Sequence, residues 1–131
     1  MRERDLEILH EILDARRGFG HREHLELASS YLHEYPTEDA VDAMSGALKH
    51  VARLHGAEDK YHETITRAWV HLVAVHLQRW SEDTLERFLE RNRDLLDSGL
   101  LTHFYSRELI LSGSARSTWT APDLRPLPAL A

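Results

Sequence analysis

The sequence predicts an all-α fold: a single-domain bundle of about five main helices, with a short helical C-terminal cap and an extended proline-rich tail. Apolar residues recur at helical spacing in successive segments, and no segment has the alternating pattern typical of a β-strand. With 131 residues, of which 42% are hydrophobic, the chain is long enough to bury one core. We expect the bundle domain to cover residues 1–121 and the tail to cover residues 122–131.

The first two predicted helices flank a Gly-Phe-Gly segment. Residues 3–17 carry leucine and isoleucine at helical spacing, and the helix ends with two arginines that suit its C-terminal dipole, followed by Gly18. We expect Phe19 to fill the space between the two glycines. The second helix is predicted from about residue 21 to residue 35, where Pro36 stops it.

Three longer helices are predicted to follow, each with its own apolar stripe. The third covers about residues 38–55, where Thr37 is the expected N-cap and Gly56 ends the helix. The fourth covers about residues 59–80 and is the most apolar, so we place it at the centre of the bundle. The fifth begins after Ser81 and presents apolar residues inward as far as residue 96.

The C-terminal third of the chain has weaker patterns. Residues 100–105 and 106–111 are predicted as two short helices, with Ser106 as the N-cap of the second. Residues 112–120 are small and polar, which favours a loop. The last ten residues contain three prolines and are expected to be extended, either draped on the surface or loose.

Composition excludes several classes of function. The chain has no cysteine, which excludes disulfides, iron–sulfur clusters and cysteine-based zinc sites. Its net charge is −6 and its basic residues are interspersed with acidic ones, so we expect no nucleic-acid partner. The longest apolar run, within residues 69–77, contains two histidines and is too short for a bilayer, and the N-terminus has no signal-peptide pattern. We therefore expect a cytoplasmic protein with no membrane partner, and leave homo-oligomerisation open.

Three of the ten histidines border predicted buried faces. His21 and His24 lie one turn apart on the inner side of helix two, and His62 begins the apolar stripe of helix four. Each lies near a predicted helix N-terminus. Burial and the helix dipole both disfavour the charged imidazolium there, so the rings should be neutral, which is the form that binds metal ions.

These positions predict a histidine metal site. Three protein nitrogens with open coordination positions suit a divalent transition metal such as zinc, copper, iron or nickel, with His21, His24 and His62 as ligands. Glu63 would act as the general base or as an acceptor for an imidazole N–H. The preferred function is a small metalloprotein, an enzyme whose metal activates water or dioxygen, or polarises an oxygen of a small-molecule substrate.

Two other interpretations remain open. The histidines could be satisfied by backbone or tyrosine groups inside a non-catalytic helical domain that serves protein interaction or self-association. Alternatively, they could perform proton transfer without a metal, in which case a histidine near neutrality should have a shifted pKa that is insensitive to chelators. The chain has no phosphate-binding loop and no dinucleotide fingerprint.

Two segments, GFGHREHLELASSYL and KYHETITRAW, resemble blocks of small, largely uncharacterised bacterial helical proteins in which a GHREHL-type segment precedes a YHETIT-type segment. The resemblance covers roughly residues 18–69 and implies a shared site at His21, His24, His62 and Glu63. A more distant likeness is to helical bundles of the DinB type, which hold a metal with three histidines on different helices. Here two of the candidate ligands lie on one helix, so the likeness is an analogy of fold.

Overall fold

The computed structural model describes residues 1–15 and 18–131, and within these ranges it contains α-helices and short 3₁₀ turns but no β-strand. The prediction of an all-α fold is confirmed. The α-helices are α1 (Glu3–Ala15), α2 (His21–Glu34), α3 (Thr37–Leu54), α4 (Glu63–Arg79), α5 (Leu85–Arg91), α6 (Arg107–Ile110) and α7 (Gly113–Ser117). The 3₁₀ turns are Glu58–Lys60, Arg93–Leu96 and Leu100–His103. The predicted end of helix one at Arg16 and Arg17 lies outside the described residues.

The core is formed mainly by the first four helices, with further residues from α5 and the segments that follow it, and α4 is its most buried element. Nine residues of α4 are buried, against five in α2 and five in α3. Helix α4 packs against α2, α3 and α7, which places it in the interior as its apolar composition predicts.

Helix α1 is connected to the C-terminal half of α2 through Asp5, which is 3% exposed. The hydroxyl of Tyr35 donates to Asp5 Oδ1 at 2.5 Å, and Arg2 Nε lies 3.5 Å from Asp5 Oδ2. The hydroxyl of Tyr31 donates to the backbone carbonyl of Asp5 at 2.8 Å. A carboxylate can be buried here because hydrogen-bond donors and a guanidinium surround it.

Helix α4 begins four residues later than its apolar stripe predicts. Residues 58–60 form a separate 3₁₀ turn, and His62 is the N-cap of α4 with an extended backbone. Its ring nitrogen Nδ1 accepts the backbone N–H of Ile65 at 3.1 Å, which is the role that a serine or asparagine usually performs. The helix starts at Glu63 because the His62 side chain satisfies a backbone donor that has no partner within the helix.

The prediction for helix five is also corrected. The N-cap is Thr84, whose Oγ1 accepts the backbone N–H of Arg87 at 3.2 Å, and α5 ends at Arg91. Asn92 then donates through Nδ2 to the carbonyl of Phe88 at 2.9 Å, and the chain continues as the 3₁₀ turn to residue 96. Because the turn has a different period from an α-helix, Leu96 is 40% exposed and does not face inward.

The C-terminal part returns over the bundle. Ser106 is the N-cap of α6, as the sequence predicts, whereas the segment expected as a loop contains α7 behind the cap Ser112. The tail contacts the helical domain through backbone hydrogen bonds, including one from His71 Nε2 to the carbonyl of Pro128 at 2.6 Å. The tail is therefore draped on the surface. In the described part of the chain, no helix combines the length and the apolar character needed to cross a bilayer.

Candidate functional site: a histidine-lined cavity

A cavity of about 720 Å³ lies between the start of α2, the C-terminal half of α3 and the start of α4. Its wall is largely apolar, with contributions from Met44, Leu48, Val51, Ile65 and Trp69. Four histidines also line it: His21, His24, His55 and His62. The structure therefore brings all three predicted ligand histidines to one cavity.

His24 is held by the segment that precedes its own helix. Its Nδ1–H donates to the carbonyl of Gly20 at 2.7 Å, the same carbonyl that accepts the His24 backbone N–H at 3.1 Å. Gly20 is in turn fixed because its backbone N–H donates to Glu23 Oε1 at 2.8 Å. The bond through Nδ1 selects the tautomer in which Nε2 carries a lone pair, and Nε2 has no hydrogen-bond partner within residues 1–15 and 18–131.

The environment of His24 keeps its ring neutral. Burial is the largest cause and lowers the pKa of His24 below its usual value of 6.5, and the neighbouring His21 lowers it further. The hydrogen bond to Gly20 opposes this shift, since a carbonyl acceptor favours the charged ring. His24 is therefore a neutral imidazole near pH 7.

His21 is bound in a different way. Its Nε2–H donates to the carbonyl of Leu95 at 2.7 Å, in the 3₁₀ turn that follows α5. Its ring meets Trp69 edge to face, with 4.6 Å between ring centroids and 68° between planes. The hydrogen bond uses Nε2 and leaves Nδ1 as the nitrogen with a lone pair.

His62 has both ring nitrogens engaged. Nε2–H donates to the carbonyl of Ile110 at 2.7 Å, while Nδ1 accepts the backbone N–H of Ile65. The residue is 8% exposed, and in this arrangement one ring nitrogen donates while the other accepts. For His62 to bind a metal ion, it would have to release the cap of α4 or the carbonyl that holds α6.

The predicted metal ligands thus share a cavity without forming a ligand set. Among the residues that the structure describes, no three His, Asp or Glu side chains are grouped so that they could hold a metal ion. His21 and His24 each retain one ring nitrogen, and His62 retains none. A three-histidine site stays a prediction that would need His62 to change its partners.

Glu63 lies outside the wall of the cavity. Its Oε1 accepts the hydroxyl of Tyr61 at 2.6 Å, and its Oε2 lies 3.7 Å from Arg67 on the next turn of α4. Tyr61 itself lines the cavity, next to Ser45 Oγ at 2.8 Å. Burial, followed by the hydrogen bond to Glu63, raises the pKa of Tyr61 to about 12. Tyr61 lies between Glu63 and the cavity. The predicted role of Glu63 as a base would therefore require the Tyr61–Glu63 hydrogen bond to break.

Some polar residues near the three histidines line the cavity and others do not. Thr66 and Tyr61 line the cavity, but Asn92 is bonded to backbone carbonyls behind α5 and Glu108 is exposed. Sequence reasoning did not identify Lys60 or Ser98, which also line the cavity. Both lie in connections between helices, where no periodic pattern indicates the direction of a side chain.

The abundance of histidine has a structural explanation. Seven of the ten donate a ring N–H to a backbone carbonyl: His21, His24, His33, His55, His62, His71 and His76. In four of them the acceptor is the carbonyl four residues earlier: His24, His33, His55 and His76. The number of histidines is therefore not by itself evidence for a metal. More informative are the cavity positions of His21, His24 and His55, each of which keeps one ring nitrogen unbonded among the described residues.

No family model matches the chain, and the comparisons with curated proteins and with solved structures found no match. The resemblance to proteins with GHREHL-type and YHETIT-type segments stays a prediction. A function must therefore be argued from the geometry of the cavity.

Proposed function

We propose that the cavity binds a small, largely apolar organic molecule, and that His24 accepts a hydrogen bond or a proton from it. The observation that carries this proposal is the state of His24. It is a neutral imidazole whose Nδ1–H is fixed on Gly20, so that Nε2 is a hydrogen-bond acceptor within an apolar cavity.

The volume and lining of the cavity support binding of a small molecule. About 720 Å³ falls within the range of roughly 300–1,000 Å³ that is typical of ligand pockets. Such pockets are mostly apolar and contain a few polar groups that orient the ligand, and this description fits a wall of Leu48, Val51, Ile65 and Trp69 with His24 among them.

His24 is suited to reversible proton transfer. When Nε2 accepts a proton, the positive charge is stabilised by the carbonyl of Gly20 on the opposite side of the ring. The N-terminus of α2 and the apolar surroundings disfavour the same charge, so the proton is returned readily. The ligand that fits this chemistry has an O–H or N–H group with which Nε2 can form a hydrogen bond.

The experiment compares two ligands and two histidine variants. Binding of para-ethylphenol and of its methyl ether is measured by tryptophan fluorescence and by ligand-observed NMR. His24→Asn retains a donor at the position of Nδ1 and removes Nε2. His33→Asn is the matched control, because His33 makes the same bond to the carbonyl four residues earlier, at 2.7 Å, but lies outside this cavity.

We expect the phenol to bind more tightly than its ether, and His24→Asn to abolish this preference while His33→Asn retains it. Ala52→Leu, which fills part of the cavity from α3, should weaken binding of both ligands. If neither compound binds, or if Ala52→Leu has no effect, the proposal is wrong. Self-association that depends on protein concentration would then favour the alternative of a non-catalytic helical domain that serves protein interaction or self-association.

A second candidate function is a metal site with two histidine ligands in place of three. His21 and His24 each donate one ring N–H to a backbone carbonyl and retain the other nitrogen, which is the usual arrangement of a metal-bound histidine. Two imidazoles could hold zinc, copper, iron or nickel if substrate or solvent oxygens complete the coordination. The metal would act as a Lewis acid on a bound oxygen.

Elemental analysis of protein purified without a histidine tag tests this second candidate. A stoichiometric metal should be lost in His24→Asn and retained in His62→Asn, with unchanged helical circular dichroism in both. Metal loss in His62→Asn would instead support the three-histidine site. Protein that binds the phenol without any metal would contradict the second candidate and leave the first intact.

A further inference from the structure

The charge of the cavity wall differs from that of the chain as a whole. The sequence has 22 acidic residues against 16 lysines and arginines. Among the described residues that line the cavity, however, none is an aspartate or a glutamate, and the formally charged one is Lys60. The carboxylates of Glu23 and Glu63 lie outside the wall, where Glu23 accepts the backbone N–H of Gly20 and Glu63 accepts the hydroxyl of Tyr61.

Both lysines of the chain lie at this end of the molecule. Lys60 is exposed at the rim, at the end of the 3₁₀ turn Glu58–Lys60, and forms no ion pair with a residue that the structure describes. Lys49 Nζ lies 5.2 Å from the ring centroid of Tyr61, which is part of the wall. The other basic residues are arginines, and several of these are paired with carboxylates elsewhere on the surface.

We infer that the ligand of the cavity is an organic anion, with a carboxylate at the rim beside Lys60 and an apolar body against Trp69. This inference rests on the proposed function, because it specifies the chemical class of the molecule bound. Lys60 is an ammonium on a flexible stem, so it can follow a carboxylate at the rim without a fixed geometry. Lys49, which lies over the Tyr61 ring, adds positive potential near the same wall.

A carboxylate fits this rim better than a neutral or cationic group. An alcohol of the same shape would gain the apolar contacts but no attraction to Lys60, and an amine would be repelled by it. Because Lys60 is solvated, the gain should be modest, about two- to fivefold in affinity, and should decrease as salt screens the charges.

The experiment uses two probes that share a phenol for His24 and differ only at the other end. These are para-hydroxyphenylpropionate and para-hydroxyphenylpropanol, titrated calorimetrically into the protein at low and high ionic strength. The variants are Lys60→Gln and Lys49→Gln. Arg107→Gln is the control, since Arg107 is exposed on α6 and does not line the cavity.

We expect the carboxylate to bind about two- to fivefold more tightly than the alcohol at low salt. Lys60→Gln should remove this preference, Lys49→Gln should reduce it, and Arg107→Gln should leave it unchanged. Equal binding of the two probes, or a preference that survives in Lys60→Gln, overturns the inference while the proposed cavity function stands. Failure of both probes to bind overturns the proposed function and the inference together.

Discussion

The phenyl ring of Phe19 lies against the imidazole of His24, with 4.5 Å between the ring centroids and 49° between the ring planes. Phe19 precedes α2 and lines the cavity, so it covers His24 from the side of the connection between α1 and α2. This contact contributes to the burial that lowers the pKa of His24.

Removing the phenyl ring should therefore raise the pKa of His24. In Phe19→Ala, water reaches the imidazole and its pKa should move up towards 6.5, the usual value for histidine. Phe19→Leu keeps an apolar cover and should cause a smaller change. Both pKa values can be followed by NMR titration of the imidazole signals. An unchanged pKa in Phe19→Ala would show that other groups bury His24.

The depressed pKa of His24 predicts how stability depends on pH. Between the pKa of the folded protein and 6.5, the unfolded chain binds a proton at this position that the folded protein does not. The free energy of unfolding should therefore fall as the pH is lowered from about 7 through this window. His24→Asn should show a shallower fall, and His33→Asn the same fall as the wild type. Urea unfolding at a series of pH values provides the measurement.

His62 should behave as a structural residue with two separable roles. His62→Ala removes both the cap of α4 and the bond to Ile110, and should lower the free energy of unfolding by about 2–3 kcal/mol. Asparagine is a good N-cap residue, so His62→Asn should lose about 1 kcal/mol, mainly from the bond to Ile110. Urea unfolding distinguishes the variants. Equal losses would contradict the capping role.

The buried contact between α1 and α2 should also be measurable. Tyr31→Phe removes the bond from the fully buried hydroxyl to the carbonyl of Asp5 and should lower the free energy of unfolding by about 1 kcal/mol. Tyr35→Phe should destabilise the protein as well, because the Asp5 carboxylate would lose the donor at 2.5 Å. Chemical denaturation checks both variants, and an unchanged midpoint in Tyr31→Phe would show that solvent replaces the lost bond.

Some element boundaries were predictable from local chemistry and others were not. Pro36 ends α2 and Ser106 caps α6 at the predicted places, since a proline or a serine acts on its immediate backbone. The prediction of Thr37 as the N-cap of α3 was wrong, because Pro36 is the N-cap and Thr37 is the first helical residue. The break at Asn92 was missed because the apolar pattern continues through it, while its side chain binds the carbonyls of Phe88 and Trp80. Helix periodicity does not reveal a competing side-chain bond of this kind.

The sequence likewise predicted those features of the candidate site that depend on local geometry. Spacing along α2 correctly indicated that His21 and His24 border the inner face, and both do line the cavity. The bond from His24 to Gly20 is also local, four residues back along the chain. The face of α2 that carries the two imidazoles could thus be predicted from residue spacing, since it depends on the geometry of a single helix.

Only the packed structure decided which imidazole nitrogens remain free. His21 binds a carbonyl 74 residues away and His62 binds one 48 residues away, each at the end of a short helical turn. Every residue has a backbone carbonyl, so the sequence alone does not indicate which carbonyl will accept a hydrogen bond from a distant histidine. Long-range packing therefore occupies the second ring nitrogen of His62, whereas His24, bonded locally to Gly20, keeps Nε2 unbonded among the described residues. The proposed chemistry depends on that difference.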